Sequence, residues 1–287
     1  LTLATLPGSV RFGSLRIKQG GFPTIPSPTL SNGTTEMAIR CILLDIEGTI
    51  IPVTFVRDVL FPYAKKHIAS FLHNHRIDPQ VRQWATVCHE TIAQESGVLL
   101  SYENLAGVLS QWMEGDRKHQ GLKALQGMIW EEGYRTGAFV PELYDDVAPC
   151  FRRWRQEGLT LAMYSSGSEQ AQRLLLAHTT DGDLTPMVSH CFDTGIGPKL
   201  NPASYRRIAD CLGLHSEEIL FLSDAEPELD TATTADLQAI HVVRPGTNPS
   251  TRHPCCSTLD DLRRTDMPVA EINMRAAPLK AHPPARL

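Results

Sequence analysis

Asp45-Ile46-Glu47-Gly48-Thr49 puts two carboxylates one residue apart at the end of an apolar run. Buried ionised carboxylates are costly unless their charge is compensated. A divalent cation compensates it through hard oxygen ligands, and one such carboxylate can also be a nucleophile, as in enzymes that form aspartyl-phosphates. The same two acids could instead cap a turn or the next helix. Ser165-Ser166-Gly167-Ser168 gathers small hydroxylated residues around a glycine just before a helix, where hydroxyls and backbone N–H groups meet anions. Ser166 and Glu169 also have capping-box spacing, so an ordinary helix start explains part of that pattern. Phe221-Leu222-Ser223-Asp224 ends another apolar run in an acid that can complete an oxygen site for magnesium. Downstream, Glu228 and Asp230 could hold metal-bound water or simply face solvent at a helix start. Gly195-Ile196-Gly197-Pro198-Lys199 brings a lysine to the start of a further helix. Surface lysines are the norm, but a phosphate beside several carboxylates needs a cation, and an ammonium supplies a compact point charge.

These segments must be positioned by the elements they terminate. Ile39–Asp45 reads as a buried strand of a parallel sheet. From Arg57 to about Gly137 apolar residues recur at three- and four-residue steps, which predicts amphipathic helices. Strand and helix then alternate. Helix Glu142–Glu157, strand Leu159–Tyr164 and a helix through Leu174–Leu176 come first. A short segment at Cys191–Phe192, helix Pro202–Leu212, strand Ile219–Leu222, helix Pro227–Ala235 and strand Ala239–Val243 follow. The pattern is that of an α/β fold, a doubly wound, Rossmann-like parallel sheet with an inserted helical cap domain. Residues 38–56 and 141–262 form the core and 57–140 the cap. In such a sheet the loops at the carboxyl ends of the strands form the ligand crevice, which is where the acid pair, the serines and Asp224 fall.

Composition sets the outer bounds. The 287 residues carry 27 basic and 32 acidic side chains, a net charge of −5, and 42% are hydrophobic. No apolar run reaches the roughly 18 residues of a membrane span, and no basic stretch marks a nucleic-acid or anionic-membrane partner. Seven cysteines without a C-x-x-C pair suggest neither a zinc ribbon nor a redox pair, and the adjacent Cys255-Cys256 read as loop residues in a reduced, cytoplasmic protein. Residues 1–37 hold three bases and one acid amid Ser, Thr, Gly and Pro, and 263–287 hold four prolines. Both read as disordered ends. The first is an extension more than an organelle-targeting segment, because Arg is sparse and no amphipathic face is evident.

Acid pair, Ser-Ser-Gly, Lys and Asp, in that order, resemble the four motifs of the haloacid dehalogenase superfamily of phosphohydrolases over about residues 38–262. IRCILLDIEGTIIPVTFVRDVLFPYA, DRKHQGLKALQGMIW, AMYSSGS and ILFLSDAEPELDTATTADLQAIHVVRPG are further similar to its enolase-phosphatases, the acireductone synthases of methionine salvage. Glu47 stands where most of the superfamily has Asp. Two departures are Ile50-Ile51 in place of threonines and Gly-Pro ahead of Lys199. The resemblance implies that 2,3-diketo-5-methylthiopentyl-1-phosphate is enolised and then dephosphorylated to 1,2-dihydroxy-3-keto-5-methylthiopentene. It implies one Mg²⁺ per chain on Asp45, Glu47 (through its backbone oxygen) and Asp224, with Ser165, Ser166 and Lys199 on the phosphoryl group. Asp45 is then the nucleophile and Glu47 the acid/base. Lys123, Trp130 and Tyr134 enclose the methylthio end, although Trp130 taken alone reads as core. The protein is expected to work as a monomer on a small phosphorylated diketone. The alternative is a phosphatase of another small metabolite without the enolase step. A dehalogenase has no use for the magnesium-binding acids, and a non-catalytic binding module has no use for the complete set.

Overall fold

The computed structural model describes residues 38–97 and 100–262. The expectations for 1–37 and 263–287 lie outside the described residues. Strand β1, Cys41–Leu44, is apolar throughout and fully buried, so it needs cover on both faces of its sheet. It gets that cover in alternation. Ile42 and Leu44 join one apolar cluster, Cys41 and Leu43 another on the opposite face. The remaining strands are β2 (Thr160–Tyr164), β3 (His190–Phe192), β4 (Ile219–Ser223), β5 (Gln238–Val242) and β6 (Cys255–Cys256). Their order is β3-β2-β1-β4-β5-β6 and all pairs are parallel. The doubly wound sheet expected from the alternation of elements is therefore present.

Between β1 and β2 lies the helical block. A first turn, Val53–Phe55, and a π-wound turn, Val56–Leu60, lead into α1 (Phe61–Asn74). Next come α2 (Pro79–Ser96), α3 (Tyr102–Glu114) and α4 (Gln120–Arg135). These helices bury their own core, including Ile68, Leu72, Leu105, Leu109 and Leu125, apart from the two clusters of the sheet. Asp78 caps α2 by accepting from the Gln80 and Val81 N–H groups, with Pro79 at the first helical position. Among the described residues no helix is long and apolar enough to cross a membrane.

Helices α5 (Val147–Gln156) and α6 (Glu169–Ala177) cover one face of the sheet, where Phe151, Trp154 and Leu176 are buried. Helices α7 (Pro202–Leu212) and α8 (Glu226–Thr234) cover the other with Tyr205, Ile208 and Leu229. Three local expectations are corrected. The helix expected from Glu142 begins at Val147, because the Tyr144 N–H is drawn to the Ile50 carbonyl (3.1 Å) and holds that stretch out of helix. Ser168, not Ser166, caps α6 by accepting from the Ala171 N–H, while Ser165 Oγ takes the Gly167 N–H. Cys255-Cys256 form a short edge strand rather than a loop, paired to β5 through the N–H groups of His241 and Val243.

One buried ion pair ties the distant parts of the sheet domain together. Arg244 donates from Nε to the Thr49 carbonyl (2.9 Å) and from a terminal nitrogen to Asp146 Oδ2 (2.7 Å). Its guanidinium also lies 4.3 Å from the Tyr144 ring. Asp146 Oδ2 accepts from the Leu259 N–H as well. The two side chains are 5% and 11% exposed, so removing one strands the other's charge away from water. Arg244→Ala is expected to lower unfolding free energy by about 3–5 kcal/mol in urea titration. A loss under about 1 kcal/mol would mean that the pair does not hold these segments.

Candidate active site

Sheet register brings the chemistry together. Leu44 pairs with Leu222, and the Asp45 N–H extends the ladder to the Leu222 carbonyl (2.9 Å). Asp45 and Ser223-Asp224 therefore leave the sheet side by side, between β1 and β4, where the strand order reverses. That reversal is where open α/β sheets bind ligands. On the other side of β1, Leu44 pairs with Met163, so Ser165 emerges at the same edge. Lys199 reaches in from the segment after β3. A cavity of about 670 Å³ is lined by Asp45, Glu47, Ser165, Ser166, Lys199 and Asp224 together.

Lys199 is the centre of the polar floor. Its Nζ donates to Asp45 Oδ1 and to Glu228 Oε2 (2.8 Å). Burial works against its charge, but Asp45 and Glu228 outweigh burial and raise its pKa above the usual lysine value. Ser223 Oγ lies 3.1 Å from Glu228 Oε2 and 3.5 Å from Asp45 Oδ2. Glu228 is thus part of the site, and burial followed by the Asp45 charge pushes its carboxyl up to about 7. Asp230 is not. It pairs with Arg252 (2.6 Å) and His253 (2.7 Å) outside the cavity.

Asp224 is fixed from three sides. Its N–H donates to Thr49 Oγ1 (3.1 Å), whose hydroxyl donates to Asp224 Oδ1 (3.4 Å). The Ser250 N–H donates to His241 Nδ1 (3.0 Å), so the ring proton sits on Nε2 and bonds the Asp224 carbonyl (2.9 Å). Glu47 turns toward the serines, where Ser165 Oγ donates to its Oε2 (3.0 Å). Burial first, then the charge of Asp45, raises the pKa of both Glu47 and Asp224.

Asp45, Glu47, Asp224 and Glu228 thus crowd a single deeply buried ammonium, and three of them are pushed toward protonation, by burial first and the charge of Asp45 second. Among the described residues no three Asp, Glu, His or Cys side chains already form a metal cage. Glu47 shows why, since Ser165 holds its carboxylate, while its main-chain carbonyl accepts no hydrogen bond from a described residue. Two carboxylates, Asp45 and Asp224, with that carbonyl are hard oxygen donors of the kind that suits Mg²⁺, which keeps several waters and takes few protein ligands.

The opposite wall comes from the helical block. Leu122, Lys123, Gln126 and Trp130 line the cavity from one face of α4, with Trp112 and Met113 of α3 beside them. Lys123 Nζ donates to the Ser166 carbonyl (3.0 Å), and the Trp130 indole N–H donates to the Leu60 carbonyl (2.8 Å). Trp130 therefore both packs and faces the cavity. Tyr134 does not line it, which corrects its expected place there. Its ring is buried with Leu60 and Phe139 and stacks on His178. Sequence reasoning also missed Ser223 and His241, although Ser223 directly precedes the acid it supports.

Gly48 has a φ of +83°, and a Cβ there would collide with the Asp224 carboxylate. Gly48→Ala must therefore displace Asp224 as well as strain the turn. Phosphomonoester hydrolysis is expected to fall about 100-fold, as for an ångström-scale misplacement of a reacting group. Normal rates in this variant would show that the position of Asp224 is immaterial.

Comparison with known proteins agrees with this geometry. A model of the haloacid dehalogenase-like hydrolase family matches residues 39–236. Enolase-phosphatase E1 of Gluconacetobacter diazotrophicus is 50% identical over 236 residues, 81% of this chain and 97% of that protein. Enolase-phosphatase E1 of Sorangium cellulosum is 43% identical, over 78% of this chain and 97% of its own. Among solved structures, the UTR4 protein of Saccharomyces cerevisiae superposes with a TM-score of 0.66 at 28% identity, over 77% of this chain and 98% of that one. With the motifs, the sheet order and these relatives in agreement, the chain belongs to the haloacid dehalogenase-like hydrolases and, within them, to the enolase-phosphatase E1 family.

Proposed function

We propose that the protein is a magnesium-dependent enolase-phosphatase that converts 2,3-diketo-5-methylthiopentyl-1-phosphate to 1,2-dihydroxy-3-keto-5-methylthiopentene and phosphate. The observation that carries this reading is the convergence of Asp45, Glu47, Ser165, Lys199 and Asp224 on one cavity whose far wall carries Trp112, Met113, Leu122 and Trp130. Residues 57–140 act as the cap over residues 38–56 and 141–262. Asp45, the Glu47 carbonyl and Asp224 would hold Mg²⁺, which when bound offsets their charge and polarises the substrate oxygens it meets.

Glu47 is the acid/base of the first step. Its buried carboxylate takes a proton from C1, next to the C2 carbonyl, and returns it to O2, which isomerises the diketone to an enol without net loss of atoms. In the second step an Asp45 oxygen attacks phosphorus, the bond between phosphorus and the C1 oxygen breaks, and that oxygen leaves as part of an enolate. Enolisation first therefore makes a better leaving group than a simple alkoxide. Ser165, Ser166 and Lys199 hold the equatorial phosphoryl oxygens, whose charge they stabilise. Water then attacks phosphorus, releases phosphate and restores Asp45.

Asp45→Asn keeps the shape and removes the nucleophile. At saturating Mg²⁺, phosphate release is expected to fall by a factor of about 10³ or more, with the loss in kcat, while an enol-phosphate accumulates by absorbance. The wild-type enzyme in excess chelator should lose activity and regain it with added Mg²⁺. Near-normal phosphate release by the variant would remove Asp45 as nucleophile. Phosphate release without a transient enol in the wild type would favour the plain phosphatase.

A further inference from the structure

The α4 motif Leu122-Lys123-Ala124-Leu125-Gln126-Gly127-Met128-Ile129-Trp130 contains a polar residue that the chemistry above does not use. Gln126 is 4% exposed, yet it lines the cavity. No described residue hydrogen-bonds its carboxamide, and the amide atoms are not among the buried polar atoms that lack a partner, so they open onto the cavity. Its donors and acceptor are thus left to water or a ligand unless a neighbour supplies a partner. Here the neighbours supply none. Leu122 and Trp130, one helical turn away on either side, present carbon to the cavity, and the Trp130 N–H is spent on the Leu60 carbonyl. Lys123 is committed to the Ser166 carbonyl and lies 3.5 Å from Thr194 Oγ1. Trp112, Met113 and Leu175 extend the apolar lining.

The helical block also brings Arg57, Asp116, Arg117 and Lys118 to the lining, but Arg57 pairs with Asp58, Arg117 with Glu95 and Lys118 with Asp116. Asp45, Lys199, Asp224 and Glu228 line the cavity from the sheet, so a phosphoryl group belongs there. A neutral carboxamide suits neither a phosphate nor an alkyl tail. It offers two donors and one acceptor, which match the neutral oxygens of a ketone and of the enol that replaces it. We infer that Gln126 is a specificity-determining residue, its carboxamide hydrogen-bonding the oxygens on the carbon chain between the phosphoester and the apolar tail of the substrate. This rests on the enolase-phosphatase reading and adds to it the group that tells an oxygenated chain from a plain one. The preference follows from the cost of leaving the buried amide unpaired when a substrate without such oxygens closes the cavity.

The test compares two substrates in wild-type enzyme and Gln126→Met, which conserves volume and removes the amide. With the diketone phosphate, kcat/KM is expected to fall about 10- to 100-fold, the size of effect of one neutral hydrogen bond set in a desolvated site. With phenyl phosphate, which carries no oxygen beyond the phosphoester, kcat/KM should stay within about threefold. The ligand-free variant should melt near the wild-type temperature, since the amide opens onto the cavity and bonds no described residue. An equal fall on both substrates, no fall on either, or a melting temperature many degrees lower would overturn the role of Gln126. Wild-type enzyme that hydrolyses phenyl phosphate but not the diketone phosphate would overturn the parent reading, and this inference with it.

Discussion

Buried negative charge is the constraint on which the site depends. Asp45, Glu47, Asp224 and Glu228 line one cavity, and Lys199 is the ammonium placed among them. In a low-dielectric crevice such a group of acids stays ionised at a cost that Lys199 offsets only in part. The raised pKa values of Glu47 and Asp224, with burial as first cause and Asp45 as second, express that deficit. A divalent ion would bring the positive charge this arrangement lacks, and it would also offset the negative charge of a phosphoryl group engaged by Lys199 and the serines. The fold makes the arrangement rigid before either arrives. Parallel pairing of β1 with β4 sets Asp45 beside Asp224, Thr49 and His241 fix Asp224, and Arg244 clamps the Thr49 carbonyl from below.

The two walls of the cavity divide the work. The sheet edge is polar and built from side chains that bond one another, so its geometry survives without a ligand. The α4 face is apolar except for Lys123 and Gln126, and it comes from helices with a core of their own. Contacts such as Lys123 to Ser166 and Gln170 to Glu131 join that face to the sheet domain. The proposed chemistry is thus on the rigid edge, while the proposed recognition of the substrate's chain is on a separately packed surface.

Much of this was legible in the sequence for a physical reason. Buried parallel strands read as short apolar runs, and polar residues at their carboxyl ends stand out against them. Asp45, Ser165 and Asp224 were visible for that reason, and the doubly wound sheet followed from the alternation of elements. Lys199 needed more, because a single lysine is unremarkable until the surrounding acids give it a partner. What stayed hidden depends on contacts far apart in the chain. Arg244 finds Thr49 and Asp146 across 195 and 98 residues. Tyr134 is turned into the Leu60–Phe139 cluster by packing that helical periodicity cannot reveal. Two cysteines are too few to read as a strand, and only the β5 edge makes them one.

The central claim is that phosphorus passes through a covalent bond to Asp45. Acid quench during turnover, borohydride reduction and peptide mass spectrometry test it directly, because an acyl-phosphate is reduced to the alcohol while a free carboxylate is not. The account predicts homoserine at position 45 in enzyme quenched with substrate and aspartate there without it. An unmodified Asp45 under conditions of rapid phosphate release, or homoserine at position 224, would contradict it.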